Sequence, residues 1–310
     1  MTRPTVLITK PLDKSCEDAL AHHFNALSLV SAENPEALIN ENAADIRAIA
    51  GGKVPGALME RLPNLEIIAN SGVGVDSIDL HAAKSRNIVV TNTPGVLEDS
   101  VAELALGLML ALARSIPQAD RHVRDGAWKE KMYPLRSELR GKTVGIVGLG
   151  RIGKEIAARL SALKMVVAYF GRSEQTEQPY RYFADLVDLA RASDWLVVVA
   201  PGGKATEKLI SREVLTALGP EGRLVNIARG SLVDQEALIE MLQADEIKGA
   251  GLDVFENEPE VPRSLARLDN VVLSPHQGSR TLEARDGMGK LLVENLLAHF
   301  EGRDLPSRVL

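Results

Sequence analysis

The chain has 310 residues, 45% of them hydrophobic and 25% charged, the make-up of a globular protein of about two domains. Its single cysteine, Cys16, excludes an intrachain disulfide and a cysteine-based metal cage, so it reads as structural and no metal is expected. A net charge of −6 argues against a nucleic-acid partner, and the longest apolar run, 104–113, falls short of the roughly 20 residues that a membrane-spanning helix needs.

The N-terminal stretch Pro4-Thr5-Val6-Leu7-Ile8-Thr9 has no long apolar core and no small-residue cleavage site. It reads as a first strand, and a cytoplasmic protein is expected. A short βα rhythm follows, with strands at 6–9, 26–30, 46–50, 65–69 and 88–90 and a helix over 16–24. An apolar helix is predicted over 100–114 with Asp99 or Ser100 as its cap, and then a polar linker and arm up to Gly141 that carries Trp128 and Tyr133.

The most informative segment comes next. Thr143–Val147 is an apolar, β-branched strand that runs into Gly148-Leu149-Gly150-Arg151-Ile152-Gly153 and then into a helix with Ile152, Ile156, Leu160 and Leu163 at helical spacing. Gly148 permits the tight turn, Gly150 admits a pyrophosphate close to the backbone, Gly153 allows helix and strand to pack closely, and the helix N-terminus directs N–H groups at the anion. Further strands are predicted at 165–170, 195–200, 223–227, Gly249–Leu252 and Val271–Leu273, with helices such as 211–218 and 234–242 between them. Six strands in this alternation make a doubly wound parallel sheet. A last amphipathic helix over 291–300 returns to the first domain.

Three residues at strand ends qualify for chemistry on an oxo acid, which needs a cation for the carboxylate, a proton donor for the carbonyl and a group that tunes the donor. Arg229 follows the fourth strand of the second domain, and a guanidinium suits bidentate carboxylate binding. Glu258 follows the fifth and His276 the sixth. A carboxylate beside an imidazole favours the charged ring, able to protonate a developing alkoxide. Singly, each residue reads as easily as a surface ion-pair donor, a solvated carboxylate or a turn histidine; their common rim is what joins them. The other histidines, His22, His23, His81, His122 and His299, follow no strand end.

The acidic residue that binds the ribose 2′-OH in NAD sites stands roughly 20 residues past the glycine turn. Here that place reads Tyr169-Phe170-Gly171-Arg172-Ser173. Arg172 can pair with a 2′-phosphate and Ser173 can donate to it, so NADPH is expected in preference to NADH.

In Gly148-Leu149-Gly150-Arg151-Ile152-Gly153, Asn226-Ile227-Ala228-Arg229-Gly230, Leu252-Asp253-Val254-Phe255-Glu256-Asn257-Glu258-Pro259 and Pro275-His276-Gln277-Gly278-Ser279, taken in order and spacing, the chain resembles the D-isomer-specific 2-hydroxyacid dehydrogenases from Thr5 to the C-terminal helix. The resemblance implies an α/β protein. A doubly wound, parallel-sheet Rossmann nucleotide-binding domain, 100–285, is inserted in a smaller flavodoxin-like α/β substrate domain, 1–99 and 286–310. It implies Arg229, Glu258 and His276 as the catalytic set. A cofactor-binding set follows: Gly148, Gly150, Arg151, Ile152, Gly153, Arg172, Ser173, Pro201, Thr206, Ile227, Ala228, Arg229, Asp253, His276 and Gly278, with Asp253 beside the nicotinamide carboxamide. Substrate binding falls to Val73 and Gly74, whose N–H groups meet the carboxylate, with Arg229 and His276. The same resemblance implies an active site in an interdomain cleft that closes about hinges near 98–101 and 285–288, and a homodimer formed through the 101–113 helix and the arm to Leu139.

Members of this family that use NADP resemble reductases. The expected activity is therefore reduction of glyoxylate or hydroxypyruvate to the D-2-hydroxy acid, with His276 as general acid. Larger acids, namely phenylpyruvate, hydroxyphenylpyruvate or 2-ketogluconate, are the alternative, because Leu97, Trp128, Met132, Tyr133 and Arg280 set a pocket size that the sequence leaves open; Trp128 and Tyr133 read equally as dimer anchors. A nucleotide-sensing interaction protein without turnover is the reading from another class. Formate oxidation is disfavoured, since the related formate dehydrogenases carry Gln where Glu258 stands.

Overall fold

The computed structural model describes residues 3–310. The described chain divides into two compact units, 3–97 with 280–310 and 98–279. The sequence expectation put these boundaries at 99/100 and 285/286. The second crossing lies earlier because the last helix begins at Leu282, where the Thr281 hydroxyl caps the Ala284 amide, and so belongs whole to the first unit.

In the first unit, strands β1 (Thr5–Ile8), β2 (Asn25–Ser28), β3 (Ile46–Gly51), β4 (Ile67–Asn70) and β5 (Val89–Thr91) form a parallel sheet in the order β2-β1-β3-β4-β5. That is the flavodoxin-like order. β1 is buried along its length, as a parallel strand covered on both faces must be. Leu7, Ile49 and Ile68 belong to the core on one face; Val6, Ala48 and Ile67 join Leu292 and Leu296 of the C-terminal helix Leu282–Glu301 on the other. Cys16 is buried in the helix Lys14–His23, its Cβ lying 3.0 Å from the position that a side chain on Gly289 would take.

The second unit holds β6 (Thr143–Val147), β7 (Val166–Phe170), β8 (Arg181–Phe183), β9 (Trp195–Val198), β10 (Arg223–Asn226), β11 (Gly249–Leu252) and β12 (Val271–Leu273), all parallel, in the order β12-β11-β10-β9-β6-β7-β8. The strand order reverses between β6 and β9, the crevice where open α/β sheets bind ligands. Six of these strands match the sequence expectation within two residues. The seventh, β8, is a short edge strand, and its Arg-Tyr-Phe run is too brief to show a period.

Three further expectations are corrected. The helix predicted over 100–114 starts at Glu98, so neither Asp99 nor Ser100 is its cap; the acidic pair occupies the first turn, where it complements the helix dipole. In the glycine-turn helix, Arg151–Ala162, Ile156 and Leu160 are buried, but Leu163 stands beyond its end at 38% exposure. The arm carries a helix, Ile116–Arg124, that its polar composition concealed. Among the described residues no single helix is long and apolar enough to cross a membrane.

Candidate active site

The glycine turn joins β6 to the helix Arg151–Ala162. Gly148 has φ of +104°, and a side chain there would come within 2.9 Å of the Ala200 backbone. A side chain on Gly153 would overlap the Gly148 carbonyl. Both positions therefore require glycine. Gly150 differs, because a Cβ there meets nothing within 4 Å. As the helix N-cap it brings no side chain to the first-turn amides, and the space before it is open. This is a cradle fitted to a dinucleotide pyrophosphate, with Arg151 exposed and Ile152 half-buried at its edge.

Arg172 and Ser173 lie exposed just past β7, the strand paired with β6. Gln175, which sequence reasoning missed, ties this loop down: its backbone N–H donates to the Tyr169 hydroxyl at 2.6 Å and its side-chain amide to the Leu149 carbonyl at 2.8 Å. The ribose-side loop is thereby stitched to the glycine turn. Beyond β9, the Thr206 hydroxyl donates to the Pro201 carbonyl at 2.7 Å, closing the loop that carries both residues.

The catalytic candidates converge on the ends of β10, β11 and β12. Asn226 closes β10: its amide nitrogen donates to the Arg229 carbonyl at 2.9 Å and its amide oxygen accepts from the Ala228 N–H at 3.1 Å. The turn is thus folded on one side chain, with Ile227 and Ala228 buried and Arg229 half-buried. A side chain on Gly230 would overlap the backbone of Phe255, so this turn and the loop after β11 lie directly against one another. Asp253, 1% exposed, anchors the loop after β12: its carboxylate accepts from the Ser274 hydroxyl at 2.6 Å, the Gln277 N–H at 2.8 Å and the Gly278 N–H at 2.9 Å. Three donors on one buried carboxylate satisfy its charge and curl the loop. His276, whose N–H donates to the Asp253 carbonyl at 2.8 Å, sits at the crest of that curl with φ of +48°. A left-handed backbone is uncommon for a histidine and tolerable here because the surrounding hydrogen bonds impose it.

The ring of His276 meets Glu258, with Nδ1 and Oε2 2.6 Å apart. The other carboxylate oxygen accepts the Phe255 N–H at 3.0 Å. Burial pushes the Glu258 carboxyl up, but the hydrogen bonds from His276 and Phe255 and the charges of His276 and Arg229 together outweigh it and hold the carboxyl below its usual range. The carboxylate thus engages the Nδ1 edge of the imidazole and leaves Nε2 on the opposite edge of the ring. Arg229, close enough for its charge to act on Glu258, completes a cluster of cation, carboxylate and imidazole.

Val73 and Gly74 belong to the first unit, in the loop after β4. Here the Asn70 amide nitrogen donates to the carbonyls of Gly72 and Gly74, each at 2.9 Å, and Asn92 donates to that of Val73 at 3.0 Å. In a planar trans peptide the N–H points opposite to the preceding carbonyl. The Val73 N–H consequently faces away from Asn70 and the Gly74 N–H away from Asn92, a disposition suited to an anion. The part these asparagines play in holding the loop was not read from the sequence; their signal is only that Asn70 ends β4 and Asn92 directly follows β5. Of the other pocket candidates, Leu97 is buried, Trp128 and Met132 are 59% and 77% exposed, and the Tyr133 hydroxyl donates to the Ser115 carbonyl at 3.4 Å.

The family model described as D-isomer specific 2-hydroxyacid dehydrogenase, NAD binding domain, matches residues 106–278. The glyoxylate/hydroxypyruvate reductase A of Arabidopsis thaliana is 44% identical over 98% of this chain and 98% of its own. The hydroxyphenylpyruvate reductase of Plectranthus scutellarioides is also 44% identical, over 98% of each. Among solved structures, the NADPH-dependent glyoxylate/hydroxypyruvate reductase of Sinorhizobium meliloti, in complex with NADP and malonate, aligns with a TM-score of 0.94 and 43% identity over 99% of this chain and 97% of that one. The chain belongs to the D-isomer specific 2-hydroxyacid dehydrogenase family.

Proposed function

We propose that this protein reduces a small 2-oxo acid, glyoxylate or hydroxypyruvate, to the D-2-hydroxy acid with NADPH. The observation that carries the reading is the 2.6 Å contact of Glu258 with His276 beside the charge of Arg229. When bound, NADPH supplies the hydride; Gly148, Gly150 and Gly153 would hold its pyrophosphate and Arg172 and Ser173 its 2′-phosphate. Pro201, Thr206, Ile227, Ala228 and Gly278 would line the remainder of the cofactor, with Asp253 behind its carboxamide.

Arg229 holds the substrate carboxylate and carbonyl, and the N–H groups of Val73 and Gly74 bind the carboxylate as well. Polarised by the guanidinium, the C2 carbon becomes a better hydride acceptor. As charge develops on the carbonyl oxygen, His276 donates its Nε2 proton to it, and Glu258 stabilises the charged ring until that moment. The preference for NADPH draws support from the lack of any carboxylate between Tyr169 and Ser173, and from the Sinorhizobium meliloti relative, which is described as NADPH-dependent.

A larger 2-oxo acid is the second reading, favoured by the equal identity to the Plectranthus hydroxyphenylpyruvate reductase. Initial rates on a panel of 2-oxo acids, followed by NADPH absorbance, decide between them. Glyoxylate or hydroxypyruvate should give the highest kcat/KM. A preference for an aromatic acid would transfer the assignment to the second reading, and tight NADPH binding without turnover of any acid would favour a nucleotide-sensing interaction protein.

A further inference from the structure

We infer that Lys10 is a positioning residue for the loop 71–74, fixing the backbone that presents the Val73 and Gly74 N–H groups to the substrate carboxylate. The inference rests on the anion-binding role proposed above for that loop. Lys10 stands two residues beyond the end of β1, and in the order β2-β1-β3 the connection reverses beside this strand, the place where flavodoxin-like sheets bind ligands.

From there the Lys10 ammonium donates to the Ser71 carbonyl at 2.6 Å. On the far side of the same peptide, the Gly72 N–H donates to the Thr93 hydroxyl at 3.0 Å. The 71–72 peptide is therefore pinned from both sides. With Asn70 on the carbonyls of Gly72 and Gly74 and Asn92 on that of Val73, four successive carbonyls are held by side chains. Of the four donating interactions only the first brings a full positive charge, which makes it the strongest and adds to the field that attracts an anion.

The reach of Lys10 depends on the glycine pair that ends β3. Gly51 has φ of +135°, and a side chain on it would lie 2.8 Å from the Thr9 hydroxyl and 3.2 Å from Lys10 Cγ. A side chain on Gly52 would lie 2.9 Å from Asn70 Oδ1 and 3.8 Å from Lys10 Nζ. The lysine stem and the buried Asn70 amide, 3% exposed, thus share the space that the two glycines leave clear. Three strand ends, those of β1, β3 and β4, are fitted together around the loop.

Steady-state kinetics on Lys10→Met and Lys10→Arg test this at saturating NADPH. Lys10→Met should raise KM for glyoxylate on the order of tenfold while kcat changes less than about threefold, and Lys10→Arg should recover most of the loss. The Kd for NADPH, read by fluorescence titration, should stay at the wild-type value. A glyoxylate KM within about twofold of wild type would overturn the inference, as would equal losses in kcat and NADPH affinity with KM unmoved, the mark of a purely structural residue. If Lys10→Met does not fold, Gly52→Ala, which sets a methyl against Asn70 and Lys10, should raise the same KM; an unchanged KM overturns the inference too. Calorimetric titration of malonate into the NADPH complex separates this claim from the proposed function. A wild-type protein that turns over no 2-oxo acid removes that function, whereas malonate affinity still decides Lys10: about tenfold weaker binding by Lys10→Met supports its role, and equal affinity, or none in either protein, overturns it.

Discussion

In the proposed mechanism His276 carries the proton transfer, and two neighbours hold it in place. Asp253 accepts its backbone N–H and Glu258 meets its Nδ1, while the charge of Arg229 acts on Glu258. With general acid catalysis as its role, His276→Ala should lower kcat by on the order of a hundredfold or more, and an unchanged kcat would remove it from the mechanism. Glu258 gives a pH test. A carboxyl held below its unfolded value, about 4.3, contributes stability that is fully present above that value and is lost as pH falls through the folded one. The Tm of wild type should therefore exceed that of Glu258→Gln near neutrality, and the gap should close as pH falls below the ordinary carboxylate range; a gap independent of pH would contradict the depressed carboxyl. Arg172 bears on the cofactor: Arg172→Ala should raise KM for NADPH and leave that for NADH nearly unchanged, and equal effects on both would leave the arginine no part in phosphate recognition.

At the scale of elements, the site is a set of strand ends. Each of β10, β11 and β12 stops where a polar side chain takes over from the ladder: Asn226 folds the arginine turn, Glu258 accepts an N–H of its own loop, and Asp253 gathers the loop that follows β12. Packing leaves no slack between these loops. Gly230→Ala would drive a methyl into the Phe255 carbonyl, and the cost of such overpacking, about 1–3 kcal/mol, should appear as a lower Tm together with a lower kcat/KM, since the displaced turn carries Arg229. A variant as stable and active as wild type would refute the close fit. In the glycine turn, the same reasoning makes Gly153 a packing residue and leaves Gly150 alone with open space before it.

For the molecule as a whole, two sheets with separate cores are built from one chain that leaves the first unit at Leu97 and returns to it at Arg280. NADPH binding should stabilise the fold by about 2.7 kcal/mol at a hundredfold excess over Kd, read as a rise in Tm with nucleotide concentration; no rise would count against a dinucleotide site. We propose further that the chain is a two-fold dimer through the helix Glu98–Arg114 and the arm beyond it. Ile116, Val123, Trp128, Met132 and Leu135 are each more than half exposed there, and a two-fold interface would cover them. Sedimentation at micromolar concentration should give twice the mass of 33.5 kDa, and a monomer would refute the assembly.

The sequence by itself determined most of the strands, the glycine turn and the gathering of Arg229, Glu258 and His276, because each rests on local rules: β-branched apolar runs make strands, glycines at set offsets make the turn, and polar residues in the loops past neighbouring strand ends share one rim. Tertiary structure decided the rest. That Asp253 is a buried anchor with three donors, that Gln175 reaches Leu149, that Asn70, Asn92 and Lys10 share one loop, and that β8 extends the sheet are pairings between residues far apart or too few to show a period. A hydrogen bond across such a separation has no signature in the spacing of either partner. It exists only once the chain has folded and the cost of leaving a buried polar group unpaired has selected its neighbour.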